Sequence, residues 1–223
     1  MDRFRRHFLG RLLSGSGLLW CLGKIPAKTA LAMGRYPQGV RKVQGEAFVE
    51  ELAARVGDPV RIGDTVRTGP DGTIVFVVEA AVFLLREQSR LELRREAIDE
   101  SRTTDVLRLL EGKMLGVFSR RRAKKLITVT AVAGIRGSGA YAETDPELTY
   151  LCTCYGRAEI VAIADPKSRE SVRTRHHESP RFIDVDGRIR PAPVINHTDA
   201  ELILLESMVG RRPPFVDSPG HGY

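Results

Sequence analysis

The chain has 223 residues, 42% hydrophobic and 28% charged, which is material for a sizeable core in one domain with additions or in two small ones. Its formal charge of +7 invites a nucleic-acid reading, but residues 1–32 hold six basic residues and one acidic one, leaving 29 basic and 27 acidic residues beyond them, a net of +2. That balance argues against a nucleic-acid partner, and the 21 Gly and 12 Pro predict a turn-rich fold.

Residues 4–10, Phe-Arg-Arg-His-Phe-Leu-Gly, open a candidate targeting segment. A Gly/Ser-interrupted apolar run over 12–23 follows, then Lys24 and Lys28, then the small-x-small pattern Ala30-Leu31-Ala32. The run is too short for a membrane span, which needs about 20 apolar residues. The order resembles a twin-arginine export signal over residues 1–32; a basic tail or an amphipathic surface helix is the alternative. No later segment is apolar enough to span a membrane, so the mature chain is expected in an extracytoplasmic, periplasmic compartment.

Residues 33–44 read as irregular. Short strands are then predicted at 47–49, 65–68, 73–78, 81–85, 90–94, 106–110, 114–118, 126–132, 139–143, 149–154 and 158–163, separated by Gly-containing turns. The run Thr73–Val78 is almost wholly apolar, as a buried strand requires, whereas Arg90–Arg94 alternates and so lies half exposed. The basic block 120–125 reads as a solvated hairpin tip. Residues 165–223 form a more polar extension with a strand at 170–174, a hairpin around Asp186-Gly187 and one helix over 198–209. Thr198 and Glu201 form the helix's capping box, and Gly210 ends it. The predicted class is all-β, a sandwich or roll of many short antiparallel strands with one C-terminal α-helix.

Four segments in order carry a family resemblance: Val60-Arg61-Ile62-Gly63-Asp64-Thr65-Val66-Arg67-Thr68-Gly69, Gly72-Thr73-Ile74-Val75-Phe76, Leu109–Leu115 and Ile127–Ser138. Over residues 43–164 the chain resembles the FecR domain, the periplasmic module of ferric-citrate-type sigma regulators. The resemblance implies an extracytoplasmic, non-enzymatic binding module with a protein partner in the cell envelope. It does not extend to residues 165–223, and the cytosolic segment and membrane helix of those regulators have no counterpart here. The alternatives to this main expectation are a metal- or redox-active periplasmic protein using Cys152 and Cys154, and a regulator in a sigma-factor pathway.

The chemistry-bearing candidates are few. Cys152 and Cys154 are two apart on a predicted strand, so both sulfurs fall on one face. They are read in three ways: a buried dithiol, a strained bridge, or two soft metal ligands completed by His176, His177 or His197. His176 and His177 otherwise belong to a solvated loop, and His197 to a helix start. The glycines of 134–139 precede no helix, so they make no phosphate loop. No nucleophile–base–acid spacing selects a catalytic triad, and no cofactor is expected beyond a possible metal ion.

Overall fold

The computed structural model describes residues 36–120 and 123–216. They belong to one unit, Gly34–Tyr223; the predicted targeting segment, residues 1–32, lies outside the described residues.

The unit is built from fourteen strands and one helix among the described residues: β1 (Gly39–Gln44), β2 (Ala47–Val49), β3 (Leu52–Ala53), β4 (Thr65–Thr68), β5 (Thr73–Val78), β6 (Ala81–Leu85), β7 (Arg90–Ala97), β8 (Thr103–Val117), β9 (Lys124–Ile127), β10 (Ala131–Thr144), β11 (Leu148–Ala162), β12 (Arg169–Thr174), β13 (Arg181–Asp184), β14 (Ile189–Pro191) and α1 (Asp199–Ser207). The predicted class, all-β with one C-terminal helix, is the one observed.

Three long strands organise the sheet. The first half of β8 pairs with β7 and β9, and its second half with β6 and β10. In β10 the first half pairs with β9, and β11 divides between β13 and β12. Two layers result. One runs β1-β5-β6-β8-β10-β11-β13-β14 through the halves holding 112–117, 139–144 and 148–155. The other runs β3-β2-β4-β7-β8-β9-β10-β11-β12 through the remaining halves. The bends fall at glycine. Gly112 has φ +82°, and a Cβ there would lie 2.4 Å from the Gln88 carbonyl oxygen; Gly156 has φ +100° and packs on Ser138. Glycine is the residue that meets both demands, a left-handed backbone and a close approach.

Reading these bends as turns splits each long strand in two. The predicted pairs 106–110 with 114–118, and 149–154 with 158–163, are continuous in β8 and β11. Two further expectations are corrected. Residues 39–44 form β1, which closes the edge of the first layer against β5. The block 120–125 is no hairpin tip, because β9 runs parallel to β8, pairing Lys124 with Asp105. Lys124 is buried there and ion-paired to Asp105, which also accepts from Arg95 Nε at 2.7 Å.

The strand parities sort the core. Ile74, Phe76 and Val78 face between the layers with Phe83, Leu91, Leu107 and Met114; Phe76 and Phe83 stack at 5.1 Å. Val75 and Val77 face the opposite way, with Leu115, Val117, Tyr141, Tyr150, Cys152 and Cys154. The first layer is thus buried on both faces, which explains the unbroken apolar run in β5. The C-terminal extension covers its outer face. Leu202 and Leu205 of α1, and Val209 just past its end, pack there, each burial being worth about 1.5–3 kcal/mol. The expected helix forms with its capping box, Thr198 accepting from the Glu201 backbone N–H and Glu201 from that of Thr198. Polar ties complete the seam: Arg86 Nη2 reaches Glu201 at 2.8 Å, and Arg211 Nη1 donates to the Ala80 carbonyl at 2.7 Å.

Candidate metal centre

The seam between β11 and the extension holds the residues singled out from the sequence. Cys152 and Cys154 project from β11 toward the extension, both fully buried and both free thiols. Leu151, one residue away, faces the inter-layer core, as strand alternation requires.

Two loops of the extension bring the imidazoles. After β12 the chain turns sharply: Glu178 accepts from the Arg175 N–H at 2.8 Å, and His177 takes φ +54°. The His177 N–H donates to the Cys154 carbonyl at 2.9 Å, which ties that loop to the thiol strand. His197 precedes the cap of α1. Its ring is stacked on Tyr141 with centroids 4.6 Å apart, and it is 8% exposed.

Cys152, Cys154, His177 and His197 converge so that one ligand atom from each lies within 4.8 Å of all the others. Cys152 Sγ is 3.4 Å from His177 Nδ1, and His177 Nδ1 is 3.0 Å from His197 Nε2. A tetrahedral zinc ion with ordinary bond lengths sets its ligands about 3.3 Å apart for two nitrogens and about 3.5 Å for nitrogen and sulfur. The observed edges are slightly shorter than that and of the same order.

The outer partners fix the tautomers. His197 Nδ1–H donates to the Ile195 carbonyl at 2.6 Å, which leaves Nε2 as the lone-pair atom. His177 Nε2–H donates to Asp199 Oδ1 at 3.0 Å, which leaves Nδ1 as the lone-pair atom. These lone-pair atoms are the two that face each other at 3.0 Å. Two lone pairs repel at that distance unless a proton or a cation lies between them. Imidazoles oriented by a carbonyl and a carboxylate, with the remaining nitrogens convergent, are the arrangement that metal-ligating histidines adopt.

The thiols are unequal. The Cys154 S–H bond to Cys152 holds the Cys152 thiol well below its ordinary value; burial opposes this, and His177 and His197 add to it. Burial, then the neighbouring Cys152 thiolate, pushes Cys154 up. Burial pulls His177 down, but the Cys152 thiolate and Asp199 outweigh it and raise it overall. These directions favour the charged forms of Cys152 and His177 and the neutral form of Cys154. A divalent cation bound there would compete with those protons for the thiolates and the imidazole lone pairs.

His176 stands one step out. Its Nε2–H donates to Asp199 at 2.8–2.9 Å, and its ring packs on Phe215 at 4.5 Å. Of the sequence candidates, Cys152, Cys154, His177 and His197 converge, and His176 meets only the outer carboxylate. Asp199 is not singled out in the sequence; a carboxylate two residues after His197, meeting both His176 and His177, is the missed signal. No described helix is long and apolar enough to cross a membrane.

No family model matches the sequence, and no curated protein matches it. Among solved structures, the chain is similar to two crystal structures from Parabacteroides distasonis, each provisionally described as an anti-sigma factor. The first, at 1.65 Å resolution, aligns with TM-score 0.49 and 12% identity over 64% of this chain and 64% of its own, so this chain spans less than two thirds of it. The second, at 2.50 Å, aligns with TM-score 0.47 and 12% identity over 65% of this chain and 73% of its own.

Proposed function

We propose that the protein is an exported, non-enzymatic, metal-stapled β module: a FecR-like domain whose C-terminal extension is fixed to its outer face by a structural Cys2His2 zinc site. The observation that carries the metal reading is the convergence of Cys152, Cys154, His177 and His197, with both imidazoles held in ligating tautomers by Ile195 and Asp199. Two thiolates and two imidazoles in a tetrahedron suit zinc better than magnesium or calcium, which take oxygen ligands. Four protein ligands and full thiol burial leave no open position for substrate, which supports a structural over a catalytic site.

The export reading rests on the segment 1–32 and the FecR-like reading on the four motifs of 43–164; both support work in the envelope through a protein partner. A folded-state export route also suits a protein that acquires its metal before leaving the cytosol.

The test is elemental analysis of the full chain purified without chelator, followed by cobalt substitution. One zinc per chain is expected, with cobalt giving the intense visible absorption of a tetrahedral thiolate complex. Cys152→Ser and His197→Ala should each lose both. Metal-free protein that takes up no cobalt sinks the metal reading. Recovery outside the periplasm with an uncleaved N-terminus sinks the export reading separately.

A further inference from the structure

The outer face of the second layer is as charged as that of the first is apolar. Arg136 on β10, Arg157 on β11 and Arg173 on β12 are register partners across three adjacent strands, so all three project from one face. All three are exposed, and among the described residues none forms an ion pair. Strands about 4.8 Å apart hold like charges directly opposite each other, an arrangement that destabilises a sheet. Arg120 packs against Gly137 beside the row, and Arg175, exposed, follows directly after β12. Along β9–β12 Glu159 is the acidic residue that shares this face, since Glu170 of β12 has the opposite parity and pairs with Arg181.

The neighbouring stretch of the same layer shows what an unselected charged face looks like. There Arg94 pairs with Glu92, and Arg108 and Lys125 pair with Glu96. Excess positive charge is confined to the β10–β12 part. The near-neutral total beyond residue 32 hides this segregation.

A second row on the face sets the class of partner. Four residues along the strands, Ile127, Val132 and Val161 lie side by side and point outward, partly exposed. Beyond them Val129 is 41% and Ile163 46% exposed. Guanidinium groups beside an aliphatic strip, on a face without an aromatic ring to stack a base, are the chemistry of a lipid–water interface.

We infer that the β10–β12 face docks on an anionic phospholipid surface, with Arg136, Arg157 and Arg173 on the phosphates and Val129 and Ile163 dipping into the headgroup layer. The test is co-sedimentation of the full chain with vesicles of phosphatidylcholine alone or with about one third phosphatidylglycerol. The parent chain is compared with Arg136→Gln/Arg157→Gln, so the basic N-terminal segment is common to both. Binding to the anionic vesicles is expected to fall as salt rises, and to drop roughly 25-fold in the variant, about fivefold per arginine removed. The variant should melt no lower than the parent, because neutralisation relieves the cross-strand repulsion. Equal partition of parent and variant overturns the inference, as does equal partition onto neutral vesicles. It is also overturned if the substitutions abolish binding to duplex DNA while vesicle binding is unchanged.

Discussion

Replacing His197 by alanine tests the centre most sharply, because its metal-dependent and metal-independent costs separate. Without metal, the substitution removes a ring stacked on Tyr141 at 4.6 Å, worth about 0.5–1.5 kcal/mol, and strips the Ile195 carbonyl of its donor, about 1–3 kcal/mol more. On the proposed metal site, the parent chain would have an additional contribution. A metal bound only to the folded state, at about a thousand times its dissociation constant, adds about 4 kcal/mol. For a unit of this size that is about 8–16 °C in Tm. Differential scanning calorimetry of parent and variant, each with and without chelator, gives a four-way cycle. Chelation should lower the parent's Tm by that amount and leave the variant's almost unmoved. Hydrogen exchange should locate the loss, with amides of 199–209 losing protection first, since α1 and the residues just past it reach the sheet through Leu202, Leu205 and Val209 beside the cluster. Equal shifts on chelation in parent and variant would refute the reasoning, whatever the variant's own Tm.

Three further outcomes follow from other sites. Burial raises Asp105, but the hydrogen bonds from Arg95 and Lys124 outweigh it, so its folded value lies below the ordinary one of about 3.9. Its contribution is therefore complete above that value and lost as pH falls through the folded value, and Asp105→Asn should flatten the acid limb of the stability curve. The same variant should lose about 3–5 kcal/mol at neutral pH by stranding Lys124, with Asp105→Asn/Lys124→Met recovering part of it in urea titrations. Gly112→Ala should cost well over 1 kcal/mol, since its Cβ meets Gln88 and Ser89, whereas Gly57→Ala, equally left-handed at φ +96° but in open space, should cost about 1 kcal/mol. Thr198→Ala should cost about 1 kcal/mol and loosen α1 in hydrogen exchange while zinc stoichiometry stays at one.

Much of the fold was legible because local chemistry decided it. The β-branched run of β5, the alternation of β7 and the capping box of α1 each specify their element without tertiary help. What was illegible depended on non-local pairing. Gly112 and Gly156 carry the backbone signature of a turn, and only their neighbours on other strands turn them into bends within β8 and β11. Residues 39–44 look irregular because their order comes from pairing with β5. Lys124 sits in a run of basic residues that reads as solvated, and a partner nineteen residues earlier buries it.

The candidate centre divides along the same line. Its thiol half is a matter of strand parity: two residues apart in β11 means one face, whatever that face meets. Its imidazole half depends on which loop of the extension arrives there, and His176 and His177 are indistinguishable until the left-handed turn at His177 sends one ring to Cys152 and the other to Asp199. This asymmetry has a consequence for assembly. Most of the inter-layer core comes from residues 40–162, to which the extension adds Val172 and Ile183, whereas the outer face carrying Val75, Val77, Leu115 and both thiols takes its cover from α1 and the residues around it. Because α1 spans only nine residues, shorter than helices that persist alone in water, its order must come from the sheet it covers and from the cluster at its N-terminus. In the proposed site a metal would bridge β11 to the β12–β13 loop through His177 and to the segment just before α1 through His197, adding to the Arg86–Glu201 and Arg211–Ala80 ties.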